Sequence, residues 1–260
     1  MMNSLWIAKT GMTAQQTQLD VISHNLANVS TTGFKRNNAV FEDLIYQNLR
    51  QVGANTTEQN QLPTGLHLGL GVRTVATSRN FTQGSLQETK NSLDVAINGN
   101  GFFEVTMPDG TIGYTRDGSF QVDAQGRVVT SSGLPVANGI TVPQGATSIS
   151  ISADGVVSAI VAGNTQPQQL GSLAMSSFIN PAGLEPVGQN LFKESAASGQ
   201  PQQGTPGTNG LGFIKQGFLE SSNINVVEEL VNMIQTQRAY EMNSKAIQTS
   251  DQMLAKLSQL

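Results

Sequence analysis

At both ends of the chain, apolar residues recur every seven positions. Between residues 4 and 29, Leu5, Met12, Leu19 and Leu26 form one row; Ala8, Ile22 and Val29 form most of a second, with Gln15 as its polar exception. This spacing keeps side chains on one helical face and is the pattern of a coiled-coil seam, although an amphipathic helix on its own core gives the same signal. The helix is predicted to stop where Asn28 meets the Ser30-Thr31-Thr32 turn and Gly33, because these residues compete for backbone hydrogen bonds or accept left-handed backbone. At the other end Asn225 can cap a helix whose first turn holds Glu228 and Glu229. There Val226, Met233, Tyr240, Ile247 and Leu254 repeat by seven, flanked by Ala239, Ala246, Met253 and Leu260. At about 1.5 Å per residue the two helices are about 35 to 55 Å long, too long to enclose a compact core between them. Both are expected to be mobile in a monomer and to order against helices of neighbouring copies.

Between the helices the punctuation changes. Phe34, Val40, Phe41, Leu44 and Ile45 predict a short extended or helical piece, and residues 46–65 read as a long, mostly polar loop or hairpin. Val72, Val75 and Phe81 mark a strand-like stretch. From residue 84 to about 204, tight-turn dipeptides such as Asn98-Gly99, Asp109-Gly110, Asp117-Gly118, Asn138-Gly139 and Asp154-Gly155 separate short apolar strands. Residues 195–210 have linker composition, rich in Gly, Pro, Gln and Ser. The expected fold is mixed: long N- and C-terminal α-helices forming a coiled-coil layer, with an inserted, mainly antiparallel β-domain. Its segments are helix 1–30, connector 31–83, β-domain 84–204, return connector 205–224 and helix 225–260.

Composition removes several classes of function. Only 12% of residues are charged, the net charge is −4 and the basic residues are scattered, so no footprint for nucleic acid or anionic lipid exists. A surface made instead of Gln, Asn, Ser, Thr and Gly can pack against copies of itself with little repulsion. With no cysteine, disulfides, thiolate zinc sites and thiol catalysis are excluded. Lys9, Asp20 and His24 interrupt the apolar residues of the first thirty positions, so no cleavable signal is visible, and no apolar run reaches membrane-span length.

Candidate chemistry is sparse. His24 has Asp20 one turn before it, but with the distant His67 there is no third ligand, and a helix-surface contact is the simpler reading. Gly99-Asn100-Gly101 and Gly69-Leu70-Gly71 lack the continuations of dinucleotide or phosphate loops and read as turns. Glu88, Asp94 and Glu104 enter the first β-strands, and a pair across a cleft would suit glycoside hydrolysis, yet no aromatic-lined sugar cleft accompanies them. Asp117 beside Arg116 reads as a turn residue with a charged neighbour. No catalytic residue, cofactor or metal is assigned.

The stretch LDVISHNLANVSTTGFKR at 19–36 closely resembles the N-terminal signature of the bacterial flagellar rod and hook proteins, and NVVEELVNMIQTQRAYEMNSKAIQTSDQML at 225–254 resembles their C-terminal motif. TQGSLQETKNSLDVAINGNGFFEV (82–105) and YTRDGSFQVDAQGRVVTSSGLPV (114–136) are similar to body segments of the same axial family. Length, segment order and the insertion at 46–65 are most similar to its distal-rod branch. The resemblance implies a non-enzymatic subunit of a helical tube, with Leu5, Met12, Leu19, Ile22, Leu26, Met233, Tyr240, Ile247 and Leu254 in subunit assembly. It implies that the insertion, with Tyr46, Gln47, Asn55, Gln61 and Pro63, stiffens the rod. The implied partners are further copies, other rod and hook-junction proteins, the surrounding rings and the flagellar export apparatus. A proximal rod or hook subunit is the nearest alternative, and a secreted β-rich adhesin the alternative from another class.

Overall fold

A computed structural model describes residues 2–52, 55–57, 60–61, 63–163 and 166–257. Two helices, α1 (Met2–Ala27) and α2 (Val226–Leu257), bracket a succession of short strands whose described pairings are antiparallel. The chain divides into two compact units. One contains Met1–Leu26, Asn37–Ser78 and Asn225–Leu260; the other contains Ala27–Arg36 and Arg79–Ile224.

In the helical unit α2 begins as its sequence predicts. The Asn225 side-chain oxygen accepts from the Val227 amide at 3.1 Å, occupying a backbone donor that has no partner within the helix. The chain after α1 is extended: Asn37–Asp43 pairs with Val72–Arg79 in a two-stranded sheet. Between these strands lies a hairpin arm. Tyr46–Arg50 pairs with Leu66–Gly69, a register shift falling at Leu49, and Asn55–Thr57 pairs with Asn60–Gln61 further out.

In the β-unit, α1 gives way to a turn in which Thr31 N–H donates to Asn28 O at 3.1 Å. Gly33 follows with φ +68°, and a β-carbon there would stand 2.8 Å from the Arg116 carbonyl carbon, so the position requires glycine. Six strands form one antiparallel sheet in the order Glu185–Gly188, Leu191–Lys193, Ile112–Thr115, Phe102–Thr106, Met175–Ser177, Gln202–Gly204. Ala146–Ile151, Val156–Val161 and Gln168–Ser172 form a second. The main core packs Val95, Ile97, Phe103, Phe120, Met175 and Ile214 among its members; a second cluster stacks Phe81, Phe102, Tyr114, Phe178 and Phe192 edge to face.

Outgoing and returning chain are zipped together. Leu86–Glu88 pairs with Phe218–Glu220, and Val95–Asn98 with Phe213–Gln216. The expected turn at Asp117-Gly118 uses its glycine for proximity, since a β-carbon there would meet the Val95 oxygen at 1.6 Å. Residues 195–210 are not a linker. Ser195 Oγ donates to Gly183 O at 2.6 Å, Ser198 is buried, and Gln202–Gly204 is a sheet strand. Small polar residues there close turns by side-chain hydrogen bonds, which composition alone does not distinguish from solvation.

Candidate assembly surfaces

Within the helical unit α1 and α2 meet at two points. A β-carbon on Gly11 would stand 3.0 Å from Asn243 Nδ2, and Asn25 Nδ2 lies 3.5 Å from Glu229 Oε2. From Gly11 to Asn25 is 25 − 11 = 14 residues, and from Glu229 to Asn243 is 243 − 229 = 14, in opposite chain directions. The helices therefore run antiparallel in a fixed register, over about 21 Å. The same register sets Gln18 opposite Thr236. The row facing α2 is thus Gly11, Gln18 and Asn25, and the row facing α1 is Glu229, Thr236 and Asn243, both small or polar and spaced by seven. Asn25 also grips the next strand: its side chain donates to Asn37 O at 2.8 Å and accepts from Asn37 N at 2.9 Å.

The apolar rows read from the sequence lie beside this polar seam. Ile22 is buried; Leu5, Met12, Leu19, Leu26, Met233, Ile247 and Leu254 are half-buried, and Tyr240 is exposed. A different apolar set on α2 is more open. Val227, Leu230, Val231 and Ile234 follow i, i+3, i+4, i+7 spacing and are 70, 43, 47 and 50% exposed. This stripe escapes a search for seven-residue rows because it is only two turns long. The polar seam escapes it because the repeat there is not apolar.

The hairpin arm carries more apolar surface than its polar composition suggests. Every residue of Tyr46–Arg50 is exposed, and Leu49, Val52, Leu66 and Leu68 join Tyr46 among the exposed large side chains. Gln47 accepts from Asn3 Nδ2 at 3.2 Å, and Tyr46 donates its hydroxyl to Asp43 at 2.8 Å, a bond that raises the phenol pKa. Asn55 and Gln61 are register partners across the outer ribbon, their side chains lying outside the described residues; Pro63 is exposed. A two-stranded ribbon with this exposure has little stability of its own.

The β-unit instead gathers buried charges around one carboxylate. The buried Glu220 carboxylate accepts from Lys35 Nζ at 2.6 Å, the Gly84 amide at 2.9 Å and Arg116 Nη1 at 3.4 Å. Lys35 also donates to Thr82 O at 2.8 Å, and Arg116 Nη2 to Gly99 O at 2.7 Å. Burial depresses the pKa of both cations, and Glu220 opposes that shift. One carboxylate thus fastens the turn after α1, the outgoing connector, the body and the return strand. Arg116 is a member of this node and not merely the neighbour of a turn.

The carboxylates considered for hydrolysis occupy separate hydrogen-bond networks. Glu104 is buried and accepts from Ser176 Oγ and from Gln203 Nε2 at 3.0 Å; Asp94 accepts from Asn91 Nδ2 at 2.9 Å; Glu88 is exposed. Burial, then Glu104 and Glu194, push the Tyr114 phenol up to about 12. His67 contacts Asn48, and Asp20 accepts from Gln16 at 3.4 Å. Among the described residues no group of three or more His, Cys, Asp or Glu is placed to hold a metal ion.

Three regions match families of known proteins. Residues 5–35 match "Flagella basal body rod protein", 96–159 "Flagellar hook protein FlgE/F/G D1 domain" and 215–260 "Flagellar basal body rod FlgEFG protein C-terminal". The flagellar basal-body rod protein FlgG of Buchnera aphidicola from Acyrthosiphon pisum is 59% identical over 260 residues, all of both chains. That of Borreliella burgdorferi is 51% identical over 98% of this chain and 97% of its own, and that of Bacillus subtilis 39% identical over 100% and 99%. Similarity of this extent across both helices and the β-unit places the chain in the FlgG family of flagellar basal-body rod proteins, a structural family and not an enzymatic one.

Proposed function

We propose that this protein is the building block of the rigid distal rod, a helical tube of identical copies that transmits torque to the hook and encloses the export channel. The carrying observation is the apolar surface that the helical unit leaves open along α2 and on the hairpin arm. Copies packed side by side would bury it, with the helical units forming an inner coiled-coil layer through Leu5, Met12, Leu19, Ile22, Leu26, Met233, Tyr240, Ile247 and Leu254. The ring proteins around the rod would be further partners. Proximal rod and hook-junction proteins would be the end-to-end partners. The subunit would reach the rod unfolded, through the flagellar export apparatus. Among the described residues no helix is long and apolar enough to cross a membrane.

The arm would supply stiffness. Its exposed leucines, pressed on neighbouring copies, would remove the sliding that lets a tube bend. Electron microscopy of concentrated protein tests both statements. Full-length chains should form straight tubes, a truncation ending at Asn225 should form none, and deletion of residues 47–63 should give tubes that curve. Tubes from the truncation, or stiff straight tubes from the deletion, would overturn the corresponding statement.

A further inference from the structure

Within the helical unit, α1 and the strand Val72–Arg79 bound a groove of about 370 Å³. Ala14 lies at its base and Trp6 and Val72 on its walls. Thr10 and Thr13 also line it, and their hydroxyls are already engaged within the chain: Thr13 donates to Lys9 O at 3.1 Å, and Thr10 donates to Ile7 O at 2.9 Å and accepts from the Val72 amide at 3.4 Å. Two cations stand at the rim. Arg73 is bridged to Glu42 at 3.0 Å, whereas Lys9 lies 5.1 Å over the Trp6 ring. The groove is therefore apolar within and basic at its edge.

The chain carries a surface of complementary character. The exposed stripe Val227, Leu230, Val231 and Ile234 is a convex apolar ridge with the exposed carboxylate Glu228 beside it. It cannot enter the groove of its own molecule. The antiparallel register, in which paired residue numbers sum to 11 + 243 = 254, puts Val231 level with Ser23. Thr10 lies 13 residues further along α1, about 20 Å away.

We propose that the groove receives the first two turns of α2 from a second copy of this chain. The proposal deepens the rod reading and rests on it. Because groove and ridge are different surfaces, the contact is heterologous: each copy offers one free groove and one free ridge, and assembly continues instead of closing at a dimer. The second copy is displaced by about 20 Å along α1 towards its N-terminus, the shift that brings Val231 level with Thr10. In this register Glu228 stands level with Thr13, about 6 Å along the axis from Lys9, and the opposite charges favour this direction.

The chain has no cysteine, so single thiols report unambiguously. Thr13→Cys and Val227→Cys variants, which this register brings nearly level, are given tags of different size, mixed, assembled and oxidised. The expected product is the mixed covalent dimer, formed in polymer and absent from dilute monomer. Tubes that form without this cross-link overturn the groove contact and leave the rod reading standing. Wild-type chains that never polymerise overturn the rod reading and the groove contact with it. A second pair of variants checks the same contact at exposed positions. Thr13→Trp, filling the groove, and Ile234→Asp, charging the ridge, should each raise the concentration needed for assembly about tenfold or more. Their mixture should stop at 1:1 dimers, since one groove and one ridge remain compatible. Assembly of either variant at the wild-type concentration overturns the proposal.

Discussion

The helical unit and the β-unit dispose of their side chains in opposite ways. In the β-unit a large apolar core is closed, with Val95, Phe103, Val105 and Met175 showing no exposure although Ile179 and Phe213 stay at the surface, and Lys35, Arg116 and Glu220 close on one another. In the helical unit the contact between helices is polar, through Asn25, Glu229, Gly11 and Asn243, while valine, leucine and isoleucine at the start of α2 face solvent. One unit is complete as a single chain. The other buries Ala8, Ala14 and Ile22 but places polar residues between its helices and leaves an apolar stripe of α2 exposed.

Three substitutions probe this contrast. Glu220→Ala should have the largest effect, because Lys35 and Arg116 would remain buried without their carboxylate. A loss of about 3–5 kcal/mol is expected in chemical denaturation of the full chain, and a loss below about 1 kcal/mol would show that the node contributes little to the β-unit. Asn25→Ala strips the Asn37 amide and carbonyl of their side-chain partners, at a cost of about 1–3 kcal/mol. Amides of α1 and Asn37–Asp43 should then exchange faster, while those of the β-unit keep their protection; equal acceleration in both would erase the distinction between the units. Val227→Ser should have the smallest effect on the monomer, within about 0.5 kcal/mol at so exposed a position. It should nevertheless weaken assembly, and a fall in monomer stability comparable to that of Asn25→Ala would mean the stripe is already in use within the chain.

Local signals carried much of the fold. The Asn225 cap, the stop after Asn28 and the turns at Asp109-Gly110, Asn138-Gly139 and Asp154-Gly155 depend on a few adjacent residues, and these appear in the structure where their chemistry predicts. The charge node has no such local signature. Lys35 and Glu220 are 185 residues apart and look like surface charges until the sheet brings them together. The polar seam was hidden differently: its residues repeat by seven, but a search for apolar periodicity passes over glycine, asparagine and threonine. The family signature was legible from short motifs at both ends, whereas the groove between α1 and Val72–Arg79 depends on a strand returning to a helix some sixty positions earlier in the sequence.

The zipped strands also bear on the timing of folding. Leu86–Glu88 waits for Phe218–Glu220, Val95–Asn98 waits for Phe213–Gln216, and Lys35 waits for Glu220. Each closure spans more than a hundred residues, so the loop entropy is lost before any of these contacts can repay it, which makes folding slow. The body therefore cannot lock until both margins of this long loop are available to each other. High contact order thus works as a delay, holding the β-unit open until residues 213–220 have joined it.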